Sequence, residues 1–388
     1  MPAACAPPRT RPAIELADVV RAHGDVFVQS RVLRPEQRAA LRDIERCRTA
    51  VLGGHLDVCT ACGHEEPSYN SCRNRHCPKC QSLAQARWID KRLERLLPVH
   101  YFHVVFTLPS ELRGVAMRSR EAVFDMLFAS ASQTLLTLAR DPKRLGGELG
   151  VTMVLHTWTR ELRFHPHVHA IVTGGGLSDD NERWVRARSD FLFPVRVMGD
   201  LFRGKMLAAL EHAHTSGSID VGRVDLRALY RKSWVVYAKR PFGGPEQVVR
   251  YLGRYTHRVG ISNQRLVSMD ERGVTFRTKD GRAVTVTGHE LLERFVEHVL
   301  PPGFVKIRHY GLHAARHATT RLEVARGRLT SSAVPRDRGA RRSEPLDWRE
   351  LLLRVSGFDV RVCPVCSQNA VERTALPVAR SRAPPVAA

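Results

Sequence analysis

One short stretch of the chain constrains its fold more than any other. Residues 167–172 predict a β-strand with His167 and His169 on one face and Val168 on the other. Because alternate strand positions are neighbours on one face, the two imidazoles supply two ligands of a metal site. Gly174-Gly175-Gly176 follows, and we expect these glycines to end the strand as a turn. In a chain of 18 histidines an incidental pair is the alternative, and the rest of the sequence must decide.

The charge of the chain points to a polyanion as its partner. Lys and Arg number 61 against 39 Asp and Glu, which gives a formal net charge of +22. This excess is typical of proteins that bind nucleic acid and is larger than that of an ordinary metabolic enzyme. A membrane surface is the weaker alternative, because no stretch approaches the roughly 20 apolar residues of a spanning helix. We therefore expect no membrane partner.

The length and the cysteine usage indicate the class of protein. A chain of 388 residues usually folds as two or three domains. Residues 1–12 contain Arg and Pro but no apolar segment, so we expect a disordered leader rather than a signal peptide. Without a signal peptide we expect the protein to be intracellular, where thiols stay reduced. The nine cysteines are therefore interpreted as metal ligands or bystanders rather than as disulfides.

Two Cys-x-x-Cys pairs predict a structural zinc site. Cys59 and Cys62 are followed, after fourteen residues, by Cys77 and Cys80. Paired turns at this separation are typical of zinc ribbons, in which four thiolates form one tetrahedron.

Further residues near these pairs are candidates for metal or DNA contacts. Cys72 and His76 are additional candidate ligands, and Cys363 and Cys366 could fold back to share a second zinc ion with them. The basic residues of this segment are expected to contact DNA phosphates, although a solvated basic face is the alternative. They are Arg73, Arg75 and Lys79.

The chain also predicts a series of helices and strands around these motifs. They are a helix over 13–50, a helix over 83–97, a strand over 101–108, a helix over 120–140, a strand over 151–158, a strand over 233–238, a helix over 243–260, a β-meander over 265–287, a helix over 290–299 and a disordered tail from 374. The strand over 151–158 forms a hairpin with the histidine strand. His156 and Glu161 are therefore candidates for a third metal ligand, and neither is decisive.

Two tyrosines on the helix over 243–260 are candidate nucleophiles. Tyr251 and Tyr255 lie four residues apart and therefore project from one helix face, where Arg254 and Arg258 are candidate DNA contacts. Packing residues are the alternative for such a pair.

Together with a metal-binding histidine pair, the tyrosines indicate cleavage of single-stranded DNA. A divalent metal polarises a phosphate oxygen, and a phenolate attacks phosphorus to leave a 3′-OH and a 5′-phosphotyrosine.

These motifs resemble those of a known family, the two-tyrosine HUH transposases of bacterial rolling-circle insertion sequences. The matching segments are His167-Val168-His169, Phe106-Thr107-Leu108-Pro109, the Tyr251 and Tyr255 pair, Ser71 to Cys80, Leu155-His156-Thr157-Trp158 and Arg308-His309-Tyr310-Gly311-Leu312. The terminal Cys363 and Cys366 pair fits the family as well. Members tend to have glutamine where Arg160 stands, and an arginine could not replace a glutamine ligand.

The resemblance implies an α+β fold, with an HUH-type central antiparallel sheet flanked by helices and preceded by a small domain that contains a zinc ribbon. It implies Tyr251 and Tyr255 as nucleophiles, Mg²⁺ or Mn²⁺ as the catalytic cofactor and Zn²⁺ as the structural one. The partner would be single-stranded DNA at transposon ends and target, without a small-molecule substrate, in the bacterial cytoplasm at the nucleoid. The predicted domains are 1–12, 13–98 (helical and zinc-binding), 99–330 (catalytic), 331–347 (a basic linker) and 348–388.

Three other classes of protein share some of these features. An HUH relaxase or replication initiator shares the chemistry, but the zinc ribbon argues against it. A zinc-ribbon regulator without enzymatic activity explains the charge and the cysteines but leaves the tyrosine pair and the histidine pair as coincidences. A tyrosine recombinase would need a tyrosine downstream of His313-Ala314-Ala315-Arg316, and none follows Tyr310.

Overall fold

The computed structural model describes residues 12–93, 95–239, 260–278, 280–330 and 347–377. Its helices are α1 (Leu16–Ser30), α2 (Pro35–Arg46), α3 (Ser82–Leu93), α4 (Arg113–Arg118), α5 (Arg120–Arg140), α6 (Val195–Thr215), α7 (Leu226–Arg231), α8 (Gly288–Val296), α9 (Arg321–Thr330) and α10 (Trp348–Ser356). Its strands are β1 (Gly54–Cys59), β2 (Glu65–Tyr69), β3 (Tyr101–Thr107), β4 (Glu148–Trp158), β5 (Phe164–Leu177), β6 (Trp184–Arg186), β7 (Val236–Lys239), β8 (Leu266–Asp270), β9 (Gly273–Arg277), β10 (Ala283–Val286), β11 (Ile307–Gly311) and β12 (Val371–Leu376).

The chain divides into two compact units that do not follow its linear order. Unit 1 comprises Met1–Arg87, His257–Val299 and Arg342–Ala388, and unit 2 comprises Trp88–Thr256 and Leu300–Arg341. The predicted catalytic domain, 99–330, places the β-meander with the histidine strand, whereas the structure groups the meander and α8 with the N-terminal helices.

Contacts within unit 1 explain this grouping. The Gln37 side chain of α2 donates a hydrogen bond to the Val296 carbonyl at the end of α8, at 2.9 Å. The Leu16 N–H of α1 donates to the Asn263 side chain just before the meander, at 3.1 Å. Long-range packing of this kind leaves no trace in local sequence patterns.

Unit 2 is organised around one antiparallel sheet. Its strand order is β11-β4-β5-β3-β7, with β6 paired to β5. The prediction of an α+β fold with a central antiparallel sheet is confirmed. Helix α5, predicted with the correct bounds, covers one face through Phe124 and Phe128, which are fully buried with Phe202 of α6.

Helix α5 requires a separate comment because it is long and apolar. Among the described residues it is the one helix that could cross a membrane by length and composition. Most of its apolar window, 61%, is buried inside the protein. Burial of this extent is typical of a core helix in a globular domain.

The glycine turn predicted after the histidine strand is wrong. Strand β5 continues through Gly174, Gly175 and Gly176 to Leu177. A Cβ atom on Gly174 would lie 2.3 Å from the His100 ring, and one on Gly176 would lie 2.8 Å from the Gly147 carbonyl carbon. The glycines therefore permit close packing inside the sheet instead of a change of direction.

Other predicted boundaries are also corrected. The helix over 13–50 is two helices, because the chain is extended before Pro35, which starts α2 at its first turn. The helix over 83–97 runs from Ser82 to Leu93. The tail predicted to be disordered from Thr374 contributes its first residues to β12. The predicted leader, the helix over 243–260 and the linker over 331–347 lie almost wholly outside the described residues.

Unit 1 contains two three-stranded sheets, one of which joins distant parts of the sequence. In the order β12-β1-β2, strand β1 pairs antiparallel with both neighbours, from Gly54↔Leu376 to Cys59↔Val371 on the β12 side. Arg373 of β12 forms a bidentate ion pair with Asp57 of β1, at 2.5 and 2.9 Å. The second sheet, β10-β9-β8, is the predicted meander.

Candidate metal centre

Three histidines on adjacent strands of unit 2 converge on one point. They are His156 of β4 and His167 and His169 of β5, and their ligand atoms lie within 4.8 Å of one another. His156 stands directly opposite His167 in the β4–β5 register, while His169 follows two positions along β5. Residues alternate between buried and half-buried along the first part of β5, so the two imidazoles share a face opposite Val168.

A backbone contact sets the orientation of the His167 ring. Its Nδ1 lies 2.7 Å from the carbonyl oxygen of His165 on the same strand. A carbonyl only accepts hydrogen bonds, so Nδ1 carries the proton and donates. The lone pair of Nε2 is then available to a metal ion, as in histidine ligands whose second nitrogen is held by a carbonyl.

A fourth histidine, His103 of β3, contacts His169 from the other side of β5. His103 Nε2 lies 2.7 Å from His169 Nδ1, and the two rings stack with centroids 5.0 Å apart. Burial, with a smaller contribution from the charge of Lys239, lowers the pKa of His103 to about 4. A neutral His103 can accept the Nδ1 proton of His169, which frees His169 Nε2 for a metal.

His156 is the third histidine of the group, and its ring stacks on an aromatic side chain. His156 is buried and stacks on Trp158, with ring centroids 4.8 Å apart. Arg160 is exposed and Glu161 pairs with Arg163 at 3.6 Å, and neither belongs to the histidine group. The histidine group therefore contains three nitrogen donors, and the residue at position 160 is not one of them.

Eight cysteines of unit 1 form two clusters, each with sulfur atoms within 4.8 Å of one another. Cluster A consists of Cys47, Cys72, Cys77 and Cys80, and cluster B consists of Cys59, Cys62, Cys363 and Cys366. In cluster A the Cys47 and Cys80 sulfurs are 3.2 Å apart. Hydrogen bonds from the Cys72 and Cys77 thiols lower the pKa of Cys47 to about 7.

The predicted zinc tetrahedron of Cys59, Cys62, Cys77 and Cys80 is corrected by these clusters. Strands β1 and β2 pair from Gly54↔Tyr69 to Val58↔Glu65, so the first cysteine pair lies at the tip of this hairpin and Cys72 follows its base. At about 3.3 Å per residue, this separates the two pairs by roughly 15 Å. Each pair therefore finds other partners.

Two further expectations about the zinc ligands are corrected as well. Cys363 and Cys366 face Cys59 and Cys62 instead of Cys72 and His76. His76 is buried beside Asn74 and belongs to neither cluster. Cys47 completes cluster A although it lies in no Cys-x-x-Cys pair, so sequence spacing gave no signal for it.

The predicted DNA contacts have different surroundings. Arg73 is exposed, Arg75 is half-buried and Lys79 forms an ion pair with Glu15 of the same unit. The lysine charge is thus already balanced, which leaves Arg73 as the accessible cation of this segment's three candidates. Tyr251, Tyr255, Arg254 and Arg258 lie outside the described residues.

Comparisons with known proteins match both parts of the chain. Residues 19–108 match the family described as "Transposase zinc-binding domain", and residues 150–321 match the family described as "Putative transposase". The first match includes all of cluster A, and the second includes the three histidines. The predicted N-terminal zinc-binding domain is confirmed.

Two relatives are similar over most of the chain. "Putative transposase y4qJ" of Sinorhizobium fredii is 43% identical over 375 residues, 92% of this chain and 93% of the relative. "Transposase for insertion sequence element IS801" of Pseudomonas savastanoi pv. phaseolicola is 32% identical over 308 residues, 72% of this chain and 73% of the relative. No solved structure matches the chain.

Proposed function

This chain belongs to the family of insertion-sequence transposases that carry an N-terminal zinc-binding domain, and from this premise we propose that it nicks and rejoins single-stranded DNA through 5′-phosphotyrosine intermediates. The observation that carries the proposal is the convergence of His156, His167 and His169 on one face of the central sheet. A binding protein that only recognises DNA has no need of three imidazoles directed at one point.

The donor set of this group fits a divalent transition metal. All three ligand atoms are imidazole nitrogens, and His167 and His169 have their second nitrogens engaged by His165 and His103. Mg²⁺ prefers oxygen ligands, whereas imidazole nitrogens bind first-row transition metals, among which Mn²⁺ binds most weakly. When bound, the cation would polarise a phosphate oxygen and balance the charge that develops during cleavage.

Tyr251 and Tyr255 are the proposed nucleophiles. A phenolate oxygen forms a bond to phosphorus, the bond from phosphorus to the 3′ oxygen breaks, and the phenol proton ends on the 3′-OH. A phenol has a pKa of about 10, so it needs cations nearby to ionise at neutral pH, and Arg254 and Arg258 are the proposed sources. Two tyrosines permit two cleavages with both strand ends retained, and rejoining consumes no ATP because the phosphotyrosine bond keeps the phosphodiester energy.

The positive charge of the chain is proposed to hold the DNA backbone. A net charge of +22 attracts phosphates without regard to sequence, and this attraction weakens as salt rises. Arg73 of the zinc-binding domain is exposed and is the proposed phosphate contact in unit 1.

A labelled oligonucleotide tests the proposal directly. The full-length protein is incubated with single-stranded DNA of the element ends and Mn²⁺ or Mg²⁺. We expect a denaturation-resistant adduct that carries a label placed at the 3′ end of the strand, while a 5′ label stays on a free fragment. The reason is that the tyrosine retains the 5′ phosphate of the downstream fragment. Peptide mapping should locate the adduct on Tyr251 or Tyr255.

Chelation of the metal and the Tyr251→Phe/Tyr255→Phe variant provide the controls, and each should remove the adduct. An adduct on any other residue, or cleavage that persists in the double phenylalanine variant, would disprove the assignment of the nucleophiles. Sequence-specific binding without any cleavage in either metal would instead favour the non-enzymatic regulator.

The contact between His103 and His169 gives a second prediction. Replacing His103 with phenylalanine removes the acceptor that fixes the His169 tautomer, so Mn²⁺ affinity should fall about 10- to 100-fold. His103→Gln retains an acceptor and should lose less. Isothermal titration of Mn²⁺ in the absence of DNA measures both variants. Unchanged affinity in His103→Phe would mean that His103 is only a packing residue.

A further inference from the structure

The two Cys-x-x-Cys turns of cluster B are built alike although one is N-terminal and one C-terminal. In each, the N–H of the first cysteine donates to the carbonyl five residues on, and the N–H four residues on donates back to that cysteine's carbonyl. The residue after the second cysteine is left-handed in both turns, with φ of 71° at Gly63 and 60° at Ser367. A left-handed serine is uncommon and indicates a turn held in place by its surroundings.

The sulfur positions of cluster B match a tetrahedral thiolate site. The Cys59 and Cys366 sulfurs are 3.6 Å apart, and those of Cys62 and Cys363 are 3.7 Å apart. A zinc ion with Zn–S bonds of about 2.3 Å requires sulfurs about 3.8 Å apart. Disulfide sulfurs would be about 2.05 Å apart, so the four cysteines are not paired in this way.

The C-terminal segment has few other contacts that could fix it. Between residues 347 and 377, Leu351 and Cys363 are the buried side chains. A segment that buries so little apolar surface cannot offset the entropy of ordering its backbone. Its other attachments include the β1–β12 pairing, the Arg373–Asp57 ion pair and two hydrogen bonds from Thr60 to the Ala370 carbonyl, all along or beside one edge strand of a three-stranded sheet.

We propose that Cys59, Cys62, Cys363 and Cys366 bind a second zinc ion, which acts as a clasp between the C-terminal segment and strand β1. The clasp joins residues up to 307 positions apart in sequence, and the matched zinc-binding domain, 19–108, contains only half of it. Clasp and cluster A together give two zinc ions per chain, one in each group of four thiolates. The proposal is independent of the DNA chemistry.

Metal analysis of the full-length protein tests the clasp. After purification under reducing conditions and dialysis, elemental analysis should find two zinc ions per chain in the wild type. The Cys363→Ala/Cys366→Ala variant should bind one. Cys366→His should retain two, because zinc accepts three cysteines and one histidine. Ser367→Gly, which keeps the left-handed turn in the form found at Gly63, is the matched control and should also retain two.

Three results would overturn the clasp. They are one zinc ion per wild-type chain, two in the double alanine variant, or iron in place of zinc, which tetrahedral thiolates also bind. A double alanine variant that fails to fold leaves the wild-type count and the Cys366→His count to decide. Limited proteolysis of the wild-type protein provides a further test. The C-terminal segment should be cleaved faster when a chelator is present than when zinc is present, and equal rates would also contradict the clasp.

Discussion

Replacing His169 with alanine should reduce covalent capture of single-stranded DNA by about 1000-fold or more, since charge stabilisation by a bound metal contributes several kcal/mol and each 1.4 kcal/mol is tenfold. The same variant should lose most of its Mn²⁺ affinity, because one of three converging nitrogens is removed. The two losses must occur together if His169 acts through the metal. Adduct formation under single-turnover conditions and Mn²⁺ titration measure them separately.

Strand β5, which carries His169, also carries a matched control residue, His165. His165 is half-buried on the same face of β5, where its ring lies 5.7 Å from the His167 ring between centroids and its carbonyl accepts from His167, but its ring is outside the converging group. His165→Ala should therefore keep Mn²⁺ affinity and adduct formation near wild-type levels. Equal losses in His165→Ala and His169→Ala would show a general disturbance of β5 and would refute a specific metal site.

The histidine pair was predictable from the sequence because strand alternation is a local property. His167 and His169 needed only a period of two, and His156 needed only the hairpin that joins β4 to β5. His103 was not identified, since its contact with His169 depends on the pairing of β3 with β5 across 66 residues. Nothing in the alternation of β3 indicates which strand becomes its neighbour.

The cysteines also show that local sequence does not indicate which distant residues come together in the fold. Their spacing indicated zinc, and the family match supports this interpretation, but the assignment of sulfurs to clusters was wrong. A Cys-x-x-Cys turn supplies half of a site, and the three-dimensional fold decides which other half it meets. Cys47 has no nearby cysteine in sequence and enters cluster A through the end of α2, so only the fold could reveal it.

The units differ from the predicted domains for a related reason. The meander was predicted correctly as three strands, because turns at Asp270 to Gly273 and near Gly281 are local signals. The grouping of the meander with the N-terminal helices was not predicted. The contacts that attach this part of the chain to those helices join residues about 250 positions apart, as from Leu16 to Asn263. The assignment of Tyr251 and Tyr255 as nucleophiles stays a prediction.

Replacing Cys77 with serine should unfold the zinc-binding domain. Cys77 is buried in cluster A, and serine would place a poor zinc ligand and an unsatisfied hydroxyl there. Binding of structural zinc contributes about 10–16 kcal/mol in zinc-finger peptides. That range is as large as the roughly 5–15 kcal/mol net stability of a whole domain. We therefore expect loss of one zinc ion, rapid proteolysis of residues 12–87 and a lost or strongly lowered unfolding transition.

Cys62→Ser is the matched comparison, because Cys62 is an exposed cysteine of cluster B and does not belong to cluster A. It should loosen the C-terminal segment while α1, α2 and the cluster A zinc remain, since none of the cluster A sulfurs is changed. Thermal unfolding, zinc content and the order of proteolytic cuts separate the two variants. If Cys77→Ser keeps its full zinc content and melts like the wild type, cluster A is not a metal site. The packing of its helices and the pairing of its strands must then stabilise the N-terminal domain without that zinc ion.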